Sequence, residues 1–128
     1  MENNLKTHNI LLVDDRPENL FSLESMLNQE GRTFLKANSG NEALKIAYKE
    51  PLSLILLDVQ MPEMDGFETA ALLKSNDKTK KIPIIFVTAI NKEKKYVEQG
   101  LEEGAVDYLF KPLDTEITRY KVTNLLRL

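Results

Sequence analysis

The sequence predicts an α/β fold in which a doubly wound parallel sheet carries helices on both of its faces. Short apolar runs alternate along the chain with amphipathic segments that begin at residues typical of helix starts. Strands buried on both faces of a parallel sheet read as continuous apolar runs, and right-handed crossovers place the connecting helices on either side. A chain of five βα units is therefore expected.

The predicted strands are short apolar runs of the length that a buried strand needs. They cover residues 10–13, 33–37, 52–57, 82–87 and 108–110, and the second run is the weakest. Short runs that are mostly apolar indicate strands buried on both faces, as in a parallel sheet.

Helix-start signals follow each of these runs. Pro17 suits the first turn of a helix that carries Leu20, Leu23 and Leu27 on one face. The remaining helices begin at capping residues. These are Ser39 with Glu42 for the second helix, Asp65 with Glu68 for the third, Asn91 for a fourth that ends near Gly104, and Asp114 for a fifth that carries Ile117 and Leu125.

Length and composition restrict the function classes. The 128 residues fit one domain, which we expect over residues 9–128, after a polar tail at residues 1–8. The formal net charge of −3 does not favour a nucleic-acid partner. The absence of cysteine excludes disulfides, thiolate metal sites and cysteine nucleophiles. Without a signal peptide or an apolar run of about 18 residues, we expect a cytoplasmic protein that makes no membrane contact.

Polar residues stand at the ends of four of the five predicted strands. Asp14 and Asp15 follow the first run, Asp58 the third, Thr88 the fourth and Lys111 the fifth. In an open α/β sheet, ligands bind beyond the carboxyl ends of the strands, at a switch in strand order. These side chains are therefore expected to converge on one crevice, although each alone could be a cap, a satisfied hydroxyl or a solvated charge.

The chemistry of this set favours phosphoryl transfer. Three crowded carboxylates repel one another, and a hard divalent cation such as Mg²⁺ relieves that repulsion while it shares its shell with phosphate oxygens. Lys111 offers a point charge to a transferring phosphoryl group, and Thr88 offers a hydroxyl donor. Asp58 could itself be the nucleophile, which would give an acyl phosphate.

Four segments resemble the motifs of receiver domains, the response-regulator modules of two-component signalling systems. Residues 11–15 are similar to the acidic-pair strand, residues 56–66 to the phosphoacceptor strand and loop, residues 85–89 to the switch-threonine strand, and residues 104–112 to the lysine-proline segment. Four motifs in the family's order make the resemblance specific, and it extends from about residue 10 to the C-terminus.

The resemblance implies a flavodoxin-like sheet with strand order 2-1-3-4-5. It also implies that Asp58 accepts a phosphoryl group from a histidine kinase or a histidine phosphotransfer protein. Asp15 would bind Mg²⁺ directly, Asp14 would bind it through water, and the backbone carbonyl of Gln60 would be a further ligand.

The family further implies a conformational switch. Lys111 would contact a phosphoryl oxygen, and the Lys111–Pro112 peptide bond would be cis. Thr88 would swing toward the phosphate, and Tyr108 would turn inward with it. Gln60 and Ile90 occupy variable family positions that influence dephosphorylation, so the phosphate lifetime stays open. A homodimer through the predicted fourth and fifth helices is a further arrangement that the sequence leaves open.

Two other functions compete with this interpretation. A pseudo-receiver would bind a partner without phosphorylation, but such a domain is expected to have lost an acid or the lysine, and this chain retains them. An aspartyl-nucleophile phosphatase typically has a second Asp two residues after the nucleophile, where this chain has Gln60. Alone, the domain is expected to catalyse only its own phosphorylation and dephosphorylation. It could be a stand-alone regulator or a module of a larger protein such as a hybrid sensor histidine kinase.

Overall fold

The sheet has the predicted order and direction. The structure is a computed structural model that describes residues 7–89 and 107–127. Its five strands are all parallel and lie in the order β2-β1-β3-β4-β5. They are β1 (His8–Val13), β2 (Arg32–Ala37), β3 (Leu54–Asp58), β4 (Ile84–Ala89) and β5 (Asp107–Lys111). The flavodoxin-like strand order is therefore confirmed.

Some strand limits differ from those expected. β1 begins at His8, the last residue of the predicted tail, because its backbone N–H bonds the carbonyl of Gly31 at 2.8 Å. β4 begins at Ile84 rather than at residue 82. Pro83 precedes it and has no N–H to donate to the ladder, so the apolar run starts before the strand does.

The described helices are α1 (Pro17–Leu27), α2 (Gly40–Lys49), α3 (Gly66–Lys74) and the C-terminal helix α4 (Thr115–Leu126). Their caps are as predicted. The side chains of Ser39, Asp65 and Asp114 accept hydrogen bonds from the backbone N–H three residues ahead, at 2.9–3.0 Å. None of α1–α4, the helices within the described ranges, is long and apolar enough to span a membrane. The helix predicted over residues 91–104 lies outside the described residues, so α4 is the fifth predicted helix.

The buried face of α4 is formed by one polar and one apolar residue. Thr118 and Val122 are fully buried, whereas the side chain of Ile117 is 53% exposed and Leu125 is only partly buried against the core. The predicted helix that carries Ile117 and Leu125 is thus present, but Ile117 does not face the core. Residues four apart share a helix face, and the buried stripe runs through Thr118 rather than through its apolar neighbour.

The core consists of two layers separated by the sheet. Successive strand side chains point to opposite faces. Leu11 and Val13 accordingly pack in the layer that contains α2 and α3, while Ile10 and Leu12 pack in the layer that contains α1 and α4. This double covering holds the central strands, and it fixes the positions of the residues at their carboxyl ends.

Candidate functional site

The polar residues predicted to converge do so at the carboxyl edge of the sheet. Asp14 directly follows β1, Asp58 ends β3, Thr88 is the penultimate residue of β4 and Lys111 ends β5. β1 pairs with β2 on one side and with β3 on the other, so the strand order switches beside Asp14 and Asp58. This is the position at which open α/β sheets bind ligands.

Three carboxylates form a cluster at this switch. Asp14, Asp15 and Asp58 each offer one oxygen, and these oxygens lie within 4.8 Å of one another. Asp14 and Asp58 are 1% and 3% exposed, whereas Asp15 is exposed to solvent. The arrangement presents two buried acids and one acid at the rim, open to an incoming cation.

Lys111 connects the two buried acids. Its Nζ lies 3.5 Å from Asp14 Oδ2 and 3.5 Å from Asp58 Oδ1. Charge-assisted hydrogen bonds are usually about 2.7–2.9 Å long, so the ammonium is fully paired with neither acid. It is therefore positioned to serve a further anion at the same edge.

The electrostatics of Asp58 fit a divalent cation. Burial, followed by the negative charge of Asp14, raises the pKa of Asp58 to about 6, although Lys111 opposes both effects. An acid whose charge is this poorly compensated gains from a hard cation with oxygen ligands. The donor set is all oxygen, which suits Mg²⁺ rather than a metal that prefers nitrogen or sulfur.

Thr88 adds an unsatisfied donor. Its side chain is 1% exposed, and its hydroxyl has no hydrogen-bond partner among the described residues. Buried hydroxyls are nearly always bonded, and leaving one unpaired costs about 1–3 kcal/mol. A hydroxyl buried near the end of β4 without a partner is poised for an oxygen that binds at this edge.

Tyr108 already lies inside the protein. It is 4% exposed, and its ring centroid lies 5.6 Å from that of Phe86 and 5.6 Å from that of Phe110, with which it is stacked. Phe110 continues this aromatic row to the surface, where it is 39% exposed. The inward position that the sequence predicted for a switched state is thus present in this structure.

The loops around the acids are closely packed. The Lys111–Pro112 peptide bond is cis, as predicted. Gly66 packs against the backbone of β3, because its N–H donates to the Val59 carbonyl at 2.8 Å and a Cβ there would collide with the Asp58 carbonyl oxygen. Gln60 lies in this loop with its side chain exposed. Ile90 lies outside the described residues.

Asn19 is a site residue that was not predicted from the sequence. Its Nδ2 donates to Asp14 Oδ2 at 3.1 Å, while the backbone N–H of Arg16 donates to Asp14 Oδ1 at 2.9 Å. Its place in the chain could have indicated this role. Asn19 lies in the first turn of α1, five residues after Asp14, and its amide reaches back to the residue that follows β1.

Comparison with known proteins identifies the family. The sequence model of the response regulator receiver domain matches residues 10–122. The chain belongs to this family. Receiver domains generally use Mg²⁺ at the acidic pocket, and they interact with histidine kinases or phosphotransfer proteins.

Relatives of this receiver domain differ in length. Protein PilH of Pseudomonas aeruginosa is 38% identical over 107 residues, which are 84% of this chain and 88% of PilH. Response regulator PleD of Caulobacter vibrioides is 40% identical over 118 residues, which are 92% of this chain but only 26% of PleD. The chain therefore spans most of one relative and about a quarter of the other.

A solved structure agrees with the fold. The signal receiver domain of a signal transduction histidine kinase from Syntrophus aciditrophicus is 31% identical, with a TM-score of 0.85. The match covers 94% of this chain and 91% of that one. This chain and that receiver domain therefore share the same fold.

Proposed function

We propose that this receiver domain is the phosphoacceptor of a two-component phosphorelay, and that Asp58 takes the phosphoryl group from a phosphohistidine. One observation carries the proposal: a buried, poorly compensated carboxylate ends β3 within 3.5 Å of the ammonium of Lys111 and beside two further acids. The donor would be a histidine kinase or a histidine phosphotransfer protein.

The transfer follows from the chemistry of these groups. An Asp58 carboxylate oxygen attacks the phosphorus, an O–P bond forms as the N–P bond breaks, and the imidazole nitrogen keeps the electron pair. Lys111 stabilises charge on one transferring oxygen, and the unpaired hydroxyl of Thr88 donates to another. Both groups are available because the described residues leave them incompletely paired.

The acidic cluster is proposed to hold Mg²⁺. Asp15 and Asp58 would be direct ligands, Asp14 would act through water, and the backbone carbonyl of Gln60 would complete the protein ligands. The ion would compensate the carboxylates and share its shell with phosphoryl oxygens. The hydrogen bonds that Asp14 receives from Arg16 and Asn19 support its indirect role, because both of its oxygens already accept protein donors.

Phosphorylation is proposed to act through Thr88 and Tyr108. A phosphoryl oxygen would give the Thr88 hydroxyl a partner, and the resulting movement would stabilise Tyr108 in the inward position that it already occupies in this structure. A partner that responds to this change would bind exposed apolar side chains on α4. Ile117 and Tyr120 are 53% and 70% exposed there. A homodimer through the predicted fourth and fifth helices stays a prediction, and the fourth lies outside the described residues.

The setting of the domain is a separate proposal. We propose a cytoplasmic domain that contacts neither membrane nor nucleic acid. PilH and PleD support two settings, because the chain spans 88% of one relative and 26% of the other. The domain could therefore act alone or control a linked output domain.

The direct test is phosphorylation in vitro. The protein is incubated with Mg²⁺ and phosphoramidate, and its intact mass is measured beside that of Asp58→Asn. The proposal expects a single phosphoryl adduct on the wild type, dependent on Mg²⁺, and none on the variant. If the wild type stays unmodified and its tyrosine fluorescence does not change when Mg²⁺ is added, the pseudo-receiver is favoured. If the protein hydrolyses a phosphomonoester over many turnovers, the phosphatase is favoured.

A further inference from the structure

Asp14 is held by donors on both of its oxygens. Oδ1 accepts the Arg16 N–H at 2.9 Å, and Oδ2 accepts the Asn19 amide at 3.1 Å. The Lys111 ammonium also approaches Oδ2, but only to 3.5 Å. Two donors of different charge thus share one carboxylate oxygen.

This sharing determines where the ammonium rests. Lys111 Nζ lies equally far, at 3.5 Å, from Asp14 Oδ2 and Asp58 Oδ1. Without the neutral amide, Asp14 Oδ2 would have Lys111 as its remaining donor among the described residues, and the ammonium would move toward the usual charge-assisted distance of about 2.7–2.9 Å. Such a full ion pair with Asp14 would remove the lysine from Asp58.

The described residues leave space for that displacement. A cavity of about 240 Å³ opens between α1 and the segment after β5, and Asp14, Asn19, Ser22 and Lys111 all line it. The lysine therefore has free space on the α1 side. Lys111 is therefore kept between the two acids by a donor that competes for Asp14 Oδ2, and not by steric contacts.

We propose that Asn19 is a positioning residue whose amide occupies Asp14 Oδ2 and so keeps Lys111 available to Asp58 and to the phosphoryl group on it. The inference rests on the proposed function. Asn19 is suited to the task because it is half-buried and because its backbone N–H bonds the Arg16 carbonyl at 3.0 Å, which fixes its position in the first turn of α1.

The first test is a crystal structure of the metal-free Asn19→Ala variant. Lys111 Nζ should move to within hydrogen-bonding distance of Asp14 Oδ2 and away from Asp58 Oδ1. A lysine that stays between the two acids, with water in place of the amide, would overturn the inference. This readout requires neither metal nor phosphorylation.

The second test is the affinity for beryllofluoride at saturating Mg²⁺, followed by tyrosine fluorescence. Asn19→Ala should weaken binding about three- to tenfold, the size expected for losing part of a charge-assisted contact. Ser22→Ala, at another position lining the same cavity, should leave binding unchanged. In a Lys111→Ala background, Asn19→Ala should have no further effect, because Asn19 acts through the lysine.

The outcomes separate the two proposals. A wild type that binds beryllofluoride, combined with an Asn19→Ala effect that is absent or equally large without Lys111, would overturn the positioning role alone. A wild type that neither binds beryllofluoride nor becomes phosphorylated would overturn the proposed function. The position of Lys111 in the metal-free crystal would then still decide whether Asn19 controls the lysine.

Discussion

The amino and carboxyl edges of the sheet both carry polar side chains, but these are satisfied to different degrees. At the amino edge, His8 Nδ1 lies 3.2 Å from Ser53 Oγ, and the Asn9 amide donates to the Pro51 carbonyl at 2.8 Å. At the carboxyl edge, Thr88 has no partner among the described residues and Lys111 is 3.5 Å from both of its acids.

This difference is the one expected if a ligand binds at the carboxyl edge. Polar groups that support a fold are normally hydrogen-bonded within it, and unsatisfied buried groups cost stability. The carboxyl edge retains such groups together with Asp58, whose pKa burial raises to about 6. Polar groups without a hydrogen-bond partner are expected where a bound ligand would supply that partner. The contrast therefore indicates that the functional site lies at the carboxyl edge.

The largest effect is expected from breaking the backbone that supports the carboxyl edge. Gly66→Ala should lower the free energy of unfolding by about 2–3 kcal/mol, because its Cβ would collide with the Asp58 carbonyl oxygen and lie 2.8 Å from Val59 Cα. It should also abolish beryllofluoride binding. Gly40→Ala is the matched control, since its Cβ would meet the side chains of Thr69 and Met64 instead. Urea unfolding measures both variants. A larger loss in the free energy of unfolding for Gly40→Ala than for Gly66→Ala would contradict this expectation.

A smaller effect is expected from neutralising Asp58. Because its folded pKa is raised from 3.8 to about 6, protonation favours the folded state below pH 4, and that advantage is lost as the pH rises through 6. Asp58→Asn should therefore be more stable than the metal-free wild type at pH 7, by about 1–2 kcal/mol after allowance for solvent screening. The difference should vanish near pH 4, and added Mg²⁺ should stabilise the wild type more than the variant. Thermal unfolding at several pH values measures this, and a variant less stable at pH 7 would contradict it.

Two buried threonines allow a matched comparison. Thr88 and Thr118 are 1% and 0% exposed, and the hydroxyls of both lack partners among the described residues. Replacing either with Val should raise the free energy of unfolding by about 1 kcal/mol, because an unpaired hydroxyl is removed at nearly constant volume. Only Thr88→Val should weaken beryllofluoride binding. If both variants lost the same beryllofluoride affinity, Thr88 would have no specific role at the site.

The smallest effect is expected at the amino edge. Asn9→Ala removes the exposed hydrogen bond to the Pro51 carbonyl and should cost about 0.5–1 kcal/mol in chemical unfolding. Its beryllofluoride affinity and its phosphorylation rate should equal those of the wild type. A change in either would mean that the two edges are coupled rather than distinct.

Much of this site could be predicted because its signals are local in sequence. Apolar runs mark buried strands, and Asp14, Asp58 and Lys111 stand directly at strand ends, so a parallel sheet has to bring them to one edge. The direction of Ile117 could not be predicted in the same way. The buried stripe of α4 runs through Thr118, whose polarity masks the helical period.

The role of Asn19 shows a second limit of sequence reasoning. Its amide reaches Asp14 Oδ2 because the turn between β1 and α1 folds back over the strand end. Which of several polar residues in that turn makes the bond depends on side-chain geometry rather than on spacing. Residue patterns therefore predict which groups converge. The position of Lys111 between two acids depends on side-chain geometry and could not be predicted from the sequence.

The central claim is that Asp58 is the phosphoacceptor, and locating the phosphoryl group on the chain tests it most directly. After incubation with Mg²⁺ and phosphoramidate, borohydride reduction converts an aspartyl phosphate to homoserine, which peptide mass spectrometry can locate. The account predicts homoserine at position 58 and at no other aspartate. Homoserine at Asp14 or Asp15, or unmodified Asp58 in protein that carries a phosphoryl group, would contradict it.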